Sequence, residues 1–397
     1  MILSRKAQGI APSLTLNITA IAKKMREEGI DVIGFGAGEP DFNTPENIQK
    51  AAIEAMQGGF TKYTATSGIA ELKNAIINKF RIDNGLEYKL SQIIVSSGAK
   101  QSLANVFGAI LNPGDEVIIP VPYWVSYPEL VKLADGTPRF LEVPEENGFK
   151  LTIEKLNSVV NSNTKALVLN SPSNPTGTVY TREELIQIAE FAREHDILII
   201  SDEIYEKLIY DKDQEHISIA SLSKDAYDRT IVINGVSKTY AMTGWRIGYA
   251  AASEEIVKLM VNIQSHVTSN ANSISQYASV EALKGQQNDI EKMKIEFKKR
   301  RDYMVERINK MKDISCLKPN GAFYVMINIS KLLDKKFDGK VIENSMNFTN
   351  FLLEKEKVAV IPGEAFGVTN FVRLSYATSM ENIEKGLNRI ENFVANL

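Results

Sequence analysis

Between residues 46 and 285, short β-branched runs alternate with stretches whose apolar positions recur at helical spacing, the pattern of an α/β fold. Ala70 to Phe80 puts Leu72, Ala75, Ile76 and Phe80 on one face and predicts a helix. Another helix is predicted from Pro45, with Thr44 as its N-cap. Seven strands are predicted at Ile93–Ser96, Glu116–Pro120, Pro138–Val143, Ala166–Asn170, Ile197–Ser201, Thr230–Asn234 and Arg246–Ala251. Most of these runs are apolar throughout rather than alternating, so the sheet must be covered by helices on both faces. The last two strands are separated by about a dozen residues without helical period, which predicts a non-helical connection and a mixed, mainly parallel sheet.

Beyond about residue 285 the pattern changes. Asp289 to Lys312 predicts a long charged helix, and its Lys-Lys-Arg-Arg run at 298–301 reads as a solvated face. Strands follow at Ala322–Ile327, near Val358–Ile361 and at Phe371–Ser375, with helices at Asn347–Glu356 and Met380–Val394. With 397 residues, one hydrophobic core does not suffice. The expected division is a large domain over 46–285 and a smaller α+β domain over 286–397, joined by the N-terminal segment 1–45.

Charge narrows the function. Lys and Arg total 46 against 49 Asp and Glu, a net charge of −3 with no basic stripe, which argues against nucleic-acid binding. The single cysteine, Cys316, excludes an intrachain disulfide framework and suits a reducing, cytoplasmic setting. Only His195, His216 and His266 accompany it, without HExxH or CxxC spacing, so no metal site is expected. No apolar leader follows Met1, and no run of about 18 apolar residues offers a membrane span.

The candidate chemistry gathers at predicted strand ends, where open α/β sheets bind ligands. Ser96-Ser97-Gly98-Ala99-Lys100 leads from a strand into a helix; Trp124, Asn174, Asp202 and Lys238 each follow a strand. Singly, each has an ordinary structural explanation. Together they match the demands of a phosphorylated pyridine aldehyde. Gly98, Ala99 and Lys100 supply a helix N-terminus for phosphate, and Arg246 supplies a guanidinium. Asp202 suits the ring nitrogen, Asn174 and Tyr205 the ring oxygen, Trp124 the ring face, and Lys238 the aldehyde carbon as Schiff-base lysine and proton shuttle.

Asn174-Pro175-Thr176-Gly177, Ser201 to Tyr205 and Ser237 to Tyr249 resemble the class I aminotransferases of the aspartate aminotransferase family, pyridoxal-phosphate enzymes of fold type I. The likeness runs from about Ser13 to the C-terminus and includes Gly36 to Phe42, Thr61-Lys62-Tyr63 and Val372 to Tyr376. It implies a homodimer with shared active sites, in which Tyr63 reaches the neighbour's phosphate. It also implies that Arg373 forks onto the substrate α-carboxylate and that the Gly38 N–H completes that site. The best-known branch draws a side-chain arginine from the partner, for which no equivalent is found here. The bacterial branch it resembles uses a lysine instead, here Lys100, with Ser13 and Thr15 nearby, and some of its members also transaminate prephenate. Gly235 stands where the better-known branch has a serine, and Ser237 is the alternative phosphate hydroxyl.

The implied reaction moves an amino group between L-aspartate and 2-oxoglutarate, with other amino acids and 2-oxo acids as candidate substrates. Aromatic or alanine transamination and β-lyase chemistry are alternatives within the fold. A polar trio of Ser13, Thr15 and Lys100 favours a dicarboxylic substrate, because an apolar side chain would leave the ammonium unpaired. A nicotinamide dehydrogenase fares worse: Glu39 occupies the third-glycine position after Gly34-Phe35-Gly36, and Pro40-Asp41 follows instead of a helix.

Overall fold

A computed structural model describes residues 3–397. The seven predicted strands form one sheet: β1 (Ile93–Ser96), β2 (Glu116–Val121), β3 (Thr137–Glu142), β4 (Thr164–Asn170), β5 (Leu198–Asp202), β6 (Thr230–Gly235) and β7 (Gly248–Ala251). Their order is β1-β7-β6-β5-β4-β2-β3. Only β7 runs against its neighbours, pairing antiparallel with β1 and β6. The sheet is therefore mainly parallel and mixed at one edge, as the short connection before β7 requires.

Side chains of successive strand residues enter different cores, as a period of two dictates. Ile94, Val117, Ile119, Val168, Ile200 and Ile233 pack on one face with the helix Ala99–Ile110. Ile118, Leu167 and Ile199 pack on the other face with the helix Arg182–Glu194, and Val95, Val232 and Tyr249 enter a third cluster. The continuous apolar runs thus follow from burial on both faces. The edge strand β3 is the exception, with most of its residues exposed or half-buried.

A second sheet is antiparallel. It comprises β8 (Ser315–Cys316), β9 (Tyr324–Asn328), β10 (Ile361–Pro362) and β11 (Phe371–Ser375) in the order β10-β11-β9-β8. The helices Asn288–Lys310 and Met380–Ala395 pack against each other beside it. From the other end of the chain, Ile33–Gly34 pairs in parallel with Val358–Ala359, just before residues 36–39, which line the main cavity.

Three local expectations are corrected. Thr44 is not a helix cap: its hydroxyl donates to Ala241 O at 2.7 Å and accepts from the Trp245 indole at 2.9 Å, and Pro45 precedes the helix Glu46–Gln57. Arg246 precedes β7 rather than opening it, since its φ of 57° is left-handed and ends a turn. The basic run is only partly solvated. Arg301 is 0% exposed and forks onto Asp211 through two 2.9 Å bonds, while buried Arg300 reaches Asp41 at 2.7 Å. Two tertiary carboxylates draw these guanidiniums inward, which a charge count along one helix does not register.

Candidate active site

The C-terminal ends of β1, β2, β4, β5 and β6 and the start of antiparallel β7 meet at one sheet edge. In register, Ser96 and Gly235 both face Gly248, and Asn170 faces Asp202. A Cβ on Gly248 would fall 2.1 Å from the Ala99 backbone nitrogen, so glycine is what lets β7 approach the helix N-terminus. Gly98 has a φ of +86°, and a Cβ there would lie 2.2 Å from Arg246 Nη2. The pair of glycines thus seats the Arg246 guanidinium beside the first turn of Ala99–Ile110, whose leading N–H groups have no carbonyl within their own helix. Arg246 is held by donation to Thr243 O at 2.9 Å. Cation and helix N-terminus together make an anion seat.

Asp202 ends β5 and is 4% exposed. One carboxylate oxygen accepts from the Tyr127 hydroxyl at 2.6 Å and the other from the Ile204 N–H at 3.3 Å. Burial outweighs these neutral donors and raises the carboxyl from 3.8 to about 6. A cation placed against it would bring that value back down. Beside it, the Asn174 N–H donates to Asn170 Oδ1 at 2.8 Å, and the Tyr205 and Tyr324 hydroxyls lie 2.9 Å apart.

Lys238 follows β6 and donates from Nζ to Gly38 O. Burial lowers its amine from 10.5 to about 8; the Glu39 and Asp202 carboxylates oppose that shift, and Arg246 and Arg373 add to it. An amine so placed loses its proton closer to neutrality, as a nucleophile or base requires.

Arg373 projects from the centre of β11 and is buried. It donates to Asn174 Oδ1 at 3.0 Å and Gly36 O at 3.1 Å, and its Nε is buried without a partner. The Tyr324 and Phe366 rings flank the guanidinium at 4.4 and 4.9 Å. These partners are all neutral, so the site is disposed to take a carboxylate. Lys100 is exposed at the mouth, its Nζ 5.1 Å from the Trp124 ring centroid. Ser13 caps the helix Leu14–Glu27 and lies 3.0 Å from the Thr15 hydroxyl.

These groups surround one cavity of about 430 Å³. Among the predicted residues, Ser13, Thr15, Gly38, Ala99, Lys100, Trp124, Asn174, Asp202, Tyr205, Ser237, Lys238, Arg246 and Arg373 all line it. Gly98 sits just outside the lining, under Arg246. Tyr63 lies elsewhere, 89% exposed on a loop. Sequence reasoning missed Tyr127, one helical turn beyond Trp124 and so legible from spacing, and Tyr324, which no local pattern connects to the site. It also assigned no role to Glu39, which accepts from the Thr243 hydroxyl at 2.6 Å. Behind Asp202, Glu203, Glu206 and His216 converge; Lys79 pairs with Glu206, the Ser201 and Ser218 hydroxyls donate to Glu203, and His216 meets Glu203 through Nε2 while its Nδ1 is buried without a partner.

The profile of the family described as aminotransferase class I and II matches residues 30–390. An aspartate aminotransferase of Bacillus sp. (strain YM-2) is 51% identical over 99% of both chains. A probable aspartate/prephenate aminotransferase of Rickettsia bellii is 48% identical over 100% of both. Among solved structures, the aspartate aminotransferase from Rhizobium meliloti superposes with a TM-score of 0.95 at 43% identity, covering 99% of this chain and 98% of that one. The Thermus thermophilus aspartate aminotransferase with maleate gives 0.93 at 42%, covering 99% of each.

Proposed function

This chain belongs to the class I and II aminotransferases, a family of pyridoxal-phosphate-dependent enzymes, and on that premise we propose that it transfers an amino group reversibly between L-aspartate and 2-oxoglutarate, giving oxaloacetate and L-glutamate. The observation that carries the reading is that Arg373, buried among neutral partners, shares one cavity with the amine of Lys238.

The residues fit pyridoxal phosphate. The Gly98 cradle under Arg246 would be filled by any Cβ, as a phosphate seat requires. Asp202 is a buried carboxylate bound only by neutral donors, which suits a protonated pyridine nitrogen. Ser237 would add a hydroxyl near the phosphate, Trp124 would cover the ring, and Asn174 and Tyr205 would donate to its oxygen. When bound, the cofactor supplies an electron sink for the charge left at the substrate's α-carbon.

The chain's own residues do the rest. Arg373, with the Gly38 N–H, would fix the α-carboxylate and so orient the substrate's α-carbon in the cavity. Lys100, Ser13 and Thr15 line the same cavity and would take the second carboxylate of a dicarboxylic substrate. Lys238, lowered to about 8, would accept the substrate's α-proton at Nζ and hold it for return once the charge has moved into the cofactor. Asp202, stabilised as the anion by Tyr127, would hold the ring nitrogen in its protonated form.

The segment 1–45 and residues 286–397 form a unit beside the 46–285 body in this reading. The phosphate end of the cavity is open in a single chain, with Arg246 and Lys100 exposed. A homodimer closes it, with Tyr63 of the partner subunit reaching the phosphate. No helix among the described residues is long and apolar enough to cross a membrane. Buried, unpaired Cys316 suits the cytoplasm.

Purified protein supplied with pyridoxal phosphate should show a visible absorbance band that Lys238→Ala abolishes along with at least about 1,000-fold of turnover. Aspartate should exceed alanine and phenylalanine as donor; prephenate, with glutamate as donor, tests the activity named for the Rickettsia relative. Full activity in Lys238→Ala overturns the reading.

A further inference from the structure

We propose that Tyr324 is a positioning residue that couples the Arg373 guanidinium to the Tyr205 phenol, so that one side chain sets both the carboxylate end and the ring-oxygen end of the cavity. This rests on the function proposed above. Tyr324 opens β9, and the register places it opposite Ser375, with Met326 opposite Arg373, so its ring lies diagonally across the strand pair from the arginine. The Arg373 guanidinium stands 4.4 Å from the ring centroid, a cation on an aromatic face. The same residue's hydroxyl lies 2.9 Å from that of Tyr205, with the two rings edge to face at 83°. Tyr324 is fully buried, so its hydroxyl has no water with which to exchange that bond.

Proton counting gives the coupling its direction. A phenol carries one O–H. If Tyr205 spends that proton on the ring oxygen, only its lone pairs remain for Tyr324, and Tyr324 must be the donor between the two hydroxyls. A donor onto the Tyr205 oxygen polarises its O–H and strengthens the bond that Tyr205 makes into the cavity. Arg373 faces the same ring and is itself held by Asn174, so the two ends of the cavity share a support that neither Tyr205 nor Arg373 provides alone.

Tyr324→Phe keeps the ring and removes the hydroxyl. The readout is the pH midpoint of the visible band of the loaded protein, at which the adduct of Lys238 with the cofactor loses its proton. Donors on the ring oxygen favour the deprotonated adduct, whose oxygen charge has no adjacent N–H to offset it. Weakening Tyr205 should therefore raise the midpoint by about half to one pH unit. Glu39, Asp202, Arg246 and Arg373, the charged groups facing Lys238, are unchanged by the substitution. Binding of a non-reacting dicarboxylate, followed by calorimetry, should stay within about twofold because the ring still supports Arg373. Tyr324→Leu should weaken it about fivefold, the loss expected for one cation–π contact. A Tyr324→Phe midpoint equal to the wild type overturns the coupling, and it does so whether or not the leucine variant folds. A wild-type protein without the band overturns the underlying function as well, so the two failures are distinguishable.

Discussion

Replacing Asp202 by asparagine should stabilise the cofactor-free protein while removing the reason the residue is there. In the folded chain its carboxyl rises from 3.8 to about 6, chiefly through burial. Because the native pKa is raised, the unfolded chain holds the carboxylate more comfortably than the native one at neutral pH. The native state carries no penalty below about pH 4, a growing one between about 4 and 6, and a constant one above. A shift of about two units corresponds to roughly 3 kcal/mol at pH 7.5 and roughly half of that at pH 5. Asparagine retains the shape: its oxygen can still accept the Ile204 N–H and its amide can donate to the Tyr127 hydroxyl, so the variant lifts the penalty without opening a cavity. Thermal melts of the cofactor-free proteins at both pH values are the assay. The variant should melt several degrees above wild type at pH 7.5, with a visibly smaller gain at pH 5. Adding pyridoxal phosphate should reverse the ranking, since only the wild type offers the ring nitrogen a counter-charge. An equal or lower melting temperature for cofactor-free Asp202→Asn at pH 7.5 would refute the idea that this carboxylate is held under desolvation strain.

Two further outcomes follow from the same geometry. Gly98→Ala forces a side chain onto a φ of +86° and sets a methyl 2.2 Å from Arg246 Nη2. Cofactor affinity by fluorescence titration should fall about tenfold or more, and unchanged affinity would remove Gly98 from the phosphate seat. Arg301→Leu deletes a buried guanidinium whose fork, together with Lys318, holds Asp211 down at about 2. That stability is present above about pH 4 and is lost as pH falls toward 2. The variant should be less stable at pH 7 by about 2–4 kcal/mol and show a flatter acid limb in urea melts. An acid limb identical to wild type would assign the depression of Asp211 to its lysines instead.

What the chain determined alone was whatever its local period or local chemistry could encode. Apolar runs at 93–95, 117–121 and 166–169 demanded a sheet buried on both sides, because they offer no polar side chain to face water. A missing helical period before β7 pointed to a non-helical connection and a mixed sheet, and β7 is the antiparallel strand. Asp202, Lys238 and Asn174 were legible because each lies at or within four residues of a strand's C-terminal end, so the sheet itself delivers them to one edge. Tertiary structure alone decided the partnerships that span the chain. Arg301 meets Asp211 across 90 residues and Arg373 meets Asn174 across 199, and no short window contains both members of either pair. Tyr324 reads in sequence as one more apolar strand residue; the pairing of β9 with β11 brings its ring to Arg373, and only the tertiary fold brings its hydroxyl to Tyr205. The physical reason is common to these cases: a hydrophobic pattern reports how much surface a segment must bury, whereas a buried polar group is placed by whichever distant partner satisfies it.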